Sequence, residues 1–200
     1  MKVQAPKVVN STHAQIVMAA DQLIYEHGYE NTSFADVAAV VGISRGNFYH
    51  HFKTKDQILD AVISRRLTDR GEMLESWVDA SQSAKECVAQ FIRILLTNRQ
   101  KIRRYGCPVG TLFAELSKLE HPSEAGARQI FDLFRIWLRH RFEDMEAVED
   151  ADRLALHILA RSQGVATLAS AYPDEPFLER EVDEMLAWLD AVAANSKTRN

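Results

Sequence analysis

The chain has 200 residues, of which 46% are hydrophobic and 26% are charged, so it can bury the core of one large or two small domains. Its formal charge of −4 excludes a generally basic nucleic-acid coat protein, and two widely separated cysteines argue against a disulfide scaffold or a zinc finger. The sequence shows neither a secretory leader nor a run of about 18 apolar residues, so we expect a cytoplasmic protein that does not cross a membrane.

The periodicity of the apolar residues predicts an all-α fold. Strand-like alternation is scarce, and the few glycines and prolines fall between long segments with a 3.6-residue period. The predicted helices, in chain order, are Thr12–His27, Phe34–Val41, Arg45–Phe52, Lys55–Val78, Ala84–Arg104, Gly110–Leu119, Ser123–Met145, Asp150–Ala171 and Asp174–Ala194. The first three should form an N-terminal domain, residues 1–54, and the last six a larger helical bundle, residues 55–200.

Polar side chains at several predicted helix starts can accept hydrogen bonds from the free N–H groups of the first turn. The predicted N-caps are Thr12, Ser33, Ser44, Thr54 and Asp174. Thr12, Ser33 and Thr54 are each followed three residues later by Gln or Asp, which favours reciprocal capping. Among them, Ser33, Ser44 and Thr54 mark the starts of the second, third and fourth helices.

Positive charge is concentrated on and after the third helix. Residues 1–55 carry a net charge of +1 and the remaining residues carry −5. The segment from Arg45 to Lys55 holds three cations, two histidines and no acid. This local excess says more about binding partners than the total charge does.

The third helix has one apolar face and one polar face. At about 100° per residue, Phe48 and Phe52 fall together and can anchor the helix against the first two. The opposite face and its flanks comprise Arg45, Gly46, Asn47, Tyr49, His50 and His51. A glycine inside a helix costs about 1 kcal/mol relative to alanine. That cost is understandable if another surface must approach Gly46 closely.

The second and third helices together fit a helix-turn-helix. Ala38 is small where two helices cross, Gly42 suits a tight turn, and Ile43 can fill the core directly after it. The second helix of such a unit enters the DNA major groove, and lysines at the start of the next helix suit phosphates. Similar Ala-x-x-x-Gly segments also occur in proteins that do not bind DNA, so these residues alone leave both interpretations open.

The stretch TSFADVAAVVGISRGNFYHHFKTKDQIL, which begins at Thr32, resembles the DNA-binding signature of the tetracycline-repressor (TetR/AcrR) family of bacterial transcriptional regulators. It follows one amphipathic helix that ends in Gly-Tyr, and the resemblance covers about Ser11 to Ile63. The resemblance implies base-edge or adjacent backbone contacts from Arg45, Gly46, Asn47 and His50. It also implies phosphate contacts from Thr32, Ser33, Tyr49, His51 and Lys55. The position of Lys53 favours electrostatic attraction of the DNA backbone. Arg45 is the best candidate for a bidentate contact with guanine.

The resemblance further implies a homodimer that binds a near-palindromic double-stranded operator through two successive major grooves. The segment QGVATLASAY, from Gln163 to Tyr172, is uncharged, which predicts burial on more than one side. Apolar residues recur in the last helix with 3-4-3 spacing, typical of a packing seam. The residues predicted for the dimer interface are Leu154, Ile158, Val165, Ala169, Val182, Met185, Leu189 and Val192. A purely intramolecular bundle is the alternative.

A small-molecule effector site in the larger domain is also implied by the resemblance. Its candidate residues are Met73, Trp77, Phe91, Leu95, Cys107, Phe113, Phe134 and Trp137. Together they favour a hydrophobic or aromatic effector, although for any single one of them plain core is the favoured interpretation. Some family members carry a similar Gly-Cys stretch and sense electrophiles or oxidants with the cysteine. Basic residues before Cys107 and a helix start after it can favour the thiolate, whereas the other interpretation is a small buried hydrophobe.

Several functions remain open from the sequence. The leading hypothesis is a ligand-responsive repressor, and the alternatives are an activator or a thiol-based sensor that uses Cys107. A helical enzyme or carrier with a vestigial helix-turn-helix is disfavoured, because we find no carboxylate pair, nucleophile–base arrangement or glycine-rich phosphate loop. The histidines at 121, 140 and 157 lack the spacing of metal ligands. We therefore expect no catalytic activity, no metal and no cofactor.

Overall fold

The computed structural model describes residues 11–145, 150–172 and 175–197, and over these residues the chain is helical, as predicted, without a strand. The helices are α1 Thr12–His27, α2 Phe34–Val41, α3 Arg45–His51, α4 Lys55–Ala80, α5 Ala84–Thr97, α6 Arg99–Tyr105, α7 Pro108–Lys118, α8 Glu124–Asp144, α9 Ala151–Ala171 and α10 Glu175–Lys197. Within the described segments, no helix is both long and apolar enough to span a membrane.

The chain divides into two compact units, Met1–Arg65 and Arg66–Asn200. We call them the first unit and the second unit. The division falls inside α4, whereas the sequence placed a domain boundary before that helix. Whether residues 1–54 fold as an independent domain stays a prediction.

The first unit is built on the buried face of α1, where Ile16 and Ala20 are fully buried and Ile24 is nearly so. Thr12 was predicted to cap this helix, and that prediction was wrong. The cap is Ser11, whose side-chain oxygen accepts a hydrogen bond from the Ala14 N–H at 3.3 Å. Either hydroxyl could reach a free N–H group of the first turn, so the sequence did not distinguish the two positions.

The core of the second unit is formed by α5, α8, α9 and α10, and α6 and α7 pack against α9 and α8. The sequence predicted α5 and α6 as one helix, and that prediction was wrong. Asn98 ends α5: its backbone, at φ −101° and ψ 12°, leaves the helical conformation, and its side-chain Nδ2 donates to the Ile94 carbonyl at 3.0 Å. An asparagine side chain that bonds nearby backbone groups competes with helix continuation. Asp174, the predicted cap of the last helix, lies outside the described residues.

Candidate nucleic-acid interface

Helix α2 starts at a complete capping box, as predicted. The Ser33 side-chain oxygen accepts a hydrogen bond from the Asp36 N–H at 3.2 Å, and the Asp36 carboxylate accepts from the Ser33 N–H at 3.0 Å. The Ser33 hydroxyl also donates to this carboxylate at 2.6 Å. These hydrogen bonds from Ser33 lower the pKa of Asp36 below its ordinary value. The carboxylate is therefore ionised at neutral pH and the start of α2 is fixed.

The turn between α2 and α3 depends on the backbone of Gly42. Its φ of 74° and ψ of 31° are left-handed, a conformation that glycine adopts without strain. The Gly42 N–H and the Ile43 N–H both donate to the Ala38 carbonyl, at 2.9 Å and 3.1 Å. A Cβ atom at position 42 would meet nothing within 4 Å, so conformation and not space requires the glycine.

Helix α3 is held by its two phenylalanines, as predicted. Ser44 caps the helix by accepting from the Asn47 N–H at 3.2 Å, and Phe48 and Phe52 are only 1% and 4% exposed. The Phe48 ring lies 5.0 Å from the ring of Phe34, between centroids. This burial fixes the rotation of α3 about its own axis.

The side of α3 away from the two phenylalanines faces solvent. Arg45, Gly46, Asn47 and His50 are exposed, and Tyr49 is 46% exposed. A Cβ atom at Gly46 would meet only the Ser44 side-chain oxygen, at 3.9 Å. Nothing within the first unit therefore requires a glycine at this position. The open space above it is available to another molecule.

Five of the predicted DNA contacts meet at one cleft of about 390 Å³ in the first unit, although they are far apart in the sequence. The cleft is lined by Glu30, Thr32, Ser33, Phe34, Ala35, Arg45, Phe48, Tyr49 and Lys55. Two cations, a phenol and a serine hydroxyl thus surround one opening. Such groups are typical contacts for the phosphates of a nucleic-acid backbone.

The position of Lys55 depends on two residues that the sequence analysis missed. Its Nζ atom donates to the Glu30 carbonyl at 3.0 Å and lies 4.3 Å from the centroid of the Tyr29 ring. The Tyr29 hydroxyl in turn donates to Asp56 at 2.8 Å. Burial raises the pKa of Tyr29 above its ordinary value, and the hydrogen bond to Asp56 raises it further. The Gly-Tyr pair that ends the first helix was the available signal for this arrangement.

Thr32, His51 and Lys53 were also predicted to contact DNA, but their surroundings differ from those of the exposed residues on α3. Thr32 is 5% exposed, its hydroxyl donates to the Gly28 carbonyl at 2.8 Å, and its N–H donates to the Tyr29 carbonyl at 3.2 Å. Both donors of Thr32 are thus used within the chain. His51 is half-buried, and the Nζ atom of exposed Lys53 donates to the Tyr49 carbonyl.

The candidate effector residues fall into two groups in the second unit. Phe91, Leu95 and Phe134 are buried in the core, and the rings of Phe91 and Phe134 lie 5.5 Å apart. The half-buried group comprises Met73, Trp77, Cys107, Phe113 and Trp137. Trp77 and Trp137 contact each other edge to face, with centroids 6.0 Å apart. Phe113 pairs with Phe131, which the sequence analysis did not select.

The two cysteines differ in environment. Cys87 is 3% exposed within the core, whereas Cys107 is half-buried at the residue before α7. The residue after Cys107 is Pro108, whose carbonyl accepts a hydrogen bond from buried Arg66 at 2.6 Å.

The residues predicted for a subunit interface lie mostly inside the chain. The buried ones are Leu154, Ile158, Val165, Ala169, Val182, Met185 and Leu189, and Val192 is half-buried. They belong to the core that α9 and α10 share with α5 and α8. Among the residues that the structure describes, no group of three or more His, Cys, Asp or Glu could hold a metal ion.

Residues 16–62 match the profile of "Bacterial regulatory proteins, tetR family". The chain is 27% identical over 179 residues to an uncharacterized HTH-type transcriptional regulator from the lacX 3' region of Lactococcus lactis subsp. lactis, covering 88% of this chain and 91% of that protein. It is 23% identical over 125 residues to the HTH-type transcriptional repressor DhaR of Mycobacterium sp. (strain GP1), covering 62% of this chain and 60% of DhaR. A TetR transcriptional regulator from Legionella pneumophila matches the fold with a TM-score of 0.79 at 27% identity, covering 92% of this chain and 98% of that one.

The profile match covers the helix-turn-helix, and the likenesses to the Lactococcus and Legionella proteins extend over the second unit as well. The exposed polar face of α3 and the capped turn before it are the geometry that such a regulator needs for the major groove. Residues 16–62 therefore carry the helix-turn-helix segment of the tetR-family profile, and the chain as a whole is similar to a TetR transcriptional regulator of known structure.

Proposed function

We propose that this chain is a homodimeric repressor that acts in the cytoplasm, binds a near-palindromic operator and leaves it when a small hydrophobic or aromatic effector binds. The observation that carries the proposal is the outward face of α3, where Arg45, Asn47 and His50 surround the open space above Gly46. Arginine and asparagine side chains can read guanine and adenine edges in the major groove. The relative DhaR is named a repressor, which supports repression over activation.

Two substitutions on α3 test the DNA-binding mode. The measurement is fluorescence anisotropy with a duplex selected from a random pool and with an unrelated duplex. Arg45→Ala is expected to lower the affinity for the selected duplex by about 1–3 kcal/mol and to change the affinity for the unrelated one little, because a base contact is sequence-specific. Tyr49→Ala is expected to weaken binding to both duplexes alike, because phosphate contacts carry no sequence information.

If neither substitution changes either affinity, α3 is not the element that enters the groove. Repression is tested separately, with a reporter placed behind the selected duplex in the host cell. Deleting the gene for this chain is expected to raise reporter output, and a fall would identify an activator instead.

The dimer proposal rests on the exposed side of α9, opposite the residues that pack in the core. Leu156 and Leu168 are 42% and 46% exposed, and Ala160 and Gly164 are exposed between them at helical spacing. A Cβ atom at Gly164 would meet nothing within 4 Å. Small residues between two leucines let two helices approach closely, and one surface used by both copies satisfies a two-fold dimer. We propose this side of α9 as the subunit contact.

Sedimentation velocity tests the subunit contact. Leu168→Glu places a charge within the proposed contact and is expected to produce monomers at concentrations where the wild type is dimeric. Ile136→Glu is the matched control, because Ile136 is 48% exposed on a different helix, α8. An unchanged dimer in Leu168→Glu, or monomers in both variants, would contradict the proposed contact.

The effector proposal rests on the half-buried aromatic pair Trp77 and Trp137, which lies at the margin of the core. An apolar ligand that enters beside this pair could use the same rings that otherwise pack against each other. If the effector binds more tightly to a dimer conformation that does not fit the operator, its binding favours that conformation and releases the DNA.

Tryptophan fluorescence tests the effector site directly. The chain has three tryptophans, so Trp188→Phe leaves only Trp77 and Trp137 as reporters. A hydrophobic aromatic compound that dissociates the operator complex is expected to change the emission of this variant. The matched control retains Trp188 alone, through Trp77→Phe and Trp137→Phe, and its emission should not respond. A compound that releases the operator without changing the emission of the Trp188→Phe variant binds elsewhere.

A signal through the Cys107 thiol is the second candidate, because this cysteine is half-buried whereas Cys87 is buried. Alkylation of each cysteine against pH, followed by peptide mass spectrometry, compares the two within one chain. Fast reaction of Cys107 well below the ordinary thiol pKa of about 8.5 supports a sensor. Reaction as slow as that of Cys87 identifies Cys107 as packing.

A further inference from the structure

The second unit carries a concentration of positive charge that the helix-turn-helix does not explain. Residues 87–114 contain five cations and no acid. The rest of Arg66–Asn200 contains 13 cations and 22 acids. The five cations are Arg93, Arg99, Lys101, Arg103 and Arg104, four of them on the seven-residue helix α6. One short helix thus carries a local excess of positive charge within a unit that is acidic overall.

Helix α6 directs most of its cations outward. Ile102 is 4% exposed and anchors the helix, which packs against α9. Arg99, Lys101 and Arg104 are exposed, and Arg103 is half-buried. The guanidinium carbon of Arg104 lies 5.1 Å from the centroid of the Tyr105 ring, which restricts this side chain. The helix therefore presents an ordered cationic surface to solvent.

The break in the helix at Asn98 adds a recess beside these cations. The junction of α5 and α6 forms a cleft of about 410 Å³, lined by Leu96, Thr97, Asn98, Arg99, Gln100 and Lys101. Its polar lining consists of amide, hydroxyl, guanidinium and ammonium groups, without a carboxylate. These groups are mainly hydrogen-bond donors and suit the oxygens of a phosphate.

A hydrogen bond joins the segment after α6 to the first residue of the second unit. Arg66 is the first residue of that unit, and its guanidinium donates to the carbonyl of Pro108 at 2.6 Å. Pro108 is the first residue of α7 and follows α6 by three positions. Within the second unit, this hydrogen bond therefore ties the start of α7, which follows α6 closely in the sequence, to the first residue of the unit.

We propose that this basic surface, Arg93, Arg99, Lys101, Arg103 and Arg104, contacts the sugar-phosphate backbone of the DNA that α3 binds. Duplex DNA presents one negative charge about every 1.7 Å of its axis, so several exposed cations close together in the sequence suit a DNA backbone better than a single small anion. The contact adds affinity that does not depend on sequence. The inference rests on DNA binding by the first unit, and not on the identity of the operator or the effector.

The test is the salt dependence of DNA affinity for Lys101→Gln combined with Arg104→Gln. Each lost phosphate contact reduces the slope of log K against log salt concentration by about 0.9, so the double variant should lose about 1.8 from the slope for each protomer bound. Its affinity is expected to fall about tenfold at low salt, with an unchanged ratio between selected and unrelated duplexes. The matched control combines Lys118→Gln with Arg128→Gln, which removes two exposed cations elsewhere in the second unit and should leave the slope unchanged.

The outcomes separate this inference from the function proposed above. An unchanged slope in the Lys101 and Arg104 variant, while Tyr49→Ala still weakens binding, would overturn the inference and leave the DNA-binding mode standing. The surface would then serve an anionic effector or an acidic protein. An equal loss of slope in the control variant would also overturn it, since net charge would then be the cause. If Tyr49→Ala has no effect either, the docking of α3 itself is wrong.

Discussion

The two units use their aromatic residues in different ways. In the first unit, Phe34, Phe48 and Phe52 pack together and set the orientation of α3, and the residues proposed to bind DNA are those left outside. In the second unit, the aromatic pairs are themselves the candidates for binding, and Phe91 and Phe134 also belong to the core.

This difference determines whether the residues of a binding site can be inferred from which residues are buried. On a short, capped helix, burial of one face leaves the opposite face for function, so the two roles fall on different residues. In a bundle that encloses its ligand, one ring can serve both the core and the site. Five predictions follow, from the largest expected effect to the smallest.

Phe48→Ala should cause the largest loss. Phe48 is 1% exposed and contacts three other rings, so its truncation is expected to cost about 3–5 kcal/mol of unfolding free energy and to abolish DNA binding. Phe113→Ala, at a half-buried ring of the second unit, should cost clearly less. Urea denaturation measures both. Equal costs would show that the first unit does not depend on this anchor.

Substitution of Gly46 should separate stability from binding. Gly46→Ala is expected to raise the free energy of unfolding by up to about 1 kcal/mol, because the space above Gly46 is open. Gly46→Leu is expected to weaken DNA binding by about tenfold or more, or about 1.4 kcal/mol, through steric exclusion.

Gly71→Ala is the control for Gly46, because Gly71 also lies in a helix with open space around its Cβ position, but in the second unit. It should gain stability without loss of DNA affinity. Full DNA affinity in Gly46→Leu would mean that no surface approaches α3 at this point.

Tyr29 should act on DNA binding through Lys55. Tyr29→Leu removes both the ring beneath Lys55 and the hydrogen bond to Asp56, and it is expected to lower DNA affinity several-fold. Tyr29→Phe keeps the ring and should retain most of the affinity, while losing about 1 kcal/mol of unfolding free energy. Equal affinities of the Leu and Phe variants would show that the ring does not position Lys55.

The stability difference between the wild type and Tyr29→Phe should depend on alkaline pH. Folding raises the pKa of Tyr29, so the neutral phenol is favoured in the native state. The contribution of the Tyr29 hydroxyl to the free energy of unfolding is therefore fully present below pH 10.0, the ordinary tyrosine pKa, and decreases as the pH rises above it. Denaturation at pH 8 and at higher pH measures the difference. A gap that widens above pH 10.0 would contradict the sign.

The smallest effect is expected from the capping box of α2 in acid. Folding lowers the pKa of Asp36, so its contribution to stability is present above the ordinary value of 3.8 and is lost as the pH falls through the lower native-state pKa. Asp36→Asn should remove this pH dependence. Thermal melting of both proteins between pH 7 and pH 2 measures it. If the two proteins respond to acid identically, the carboxylate does not contribute.

The features that the sequence predicted correctly are those that depend on near neighbours. Ser33 and Ser44 cap α2 and α3, and Gly42 adopts the left-handed turn, because each feature involves groups within four residues of each other. The outward orientation of α3 followed from the spacing of Phe48 and Phe52. The choice between Ser11 and Thr12 was missed because adjacent hydroxyls offer nearly the same local bonds.

The second unit was predicted correctly as a helical bundle, but not in its detail. Asn98 looked like one more polar residue in a periodic segment, and its bond to the Ile94 carbonyl ends the helix. The apolar seam of α9 and α10 has the spacing of any packing surface. Periodicity shows that a face is buried, and it does not show whether its partner is the same chain or a second copy.

The sequence by itself determined the helical fold, the helix-turn-helix and the polar face of α3, because these depend on local hydrogen bonds and helical periodicity. Tertiary structure alone decided that Lys55 rests on Tyr29, that Leu156 and Leu168 stay exposed while Ile158 is buried, and that α6 presents its cations outward. These outcomes depend on contacts between segments that are distant in the sequence, and the pattern of apolar and charged residues along the chain does not specify those contacts.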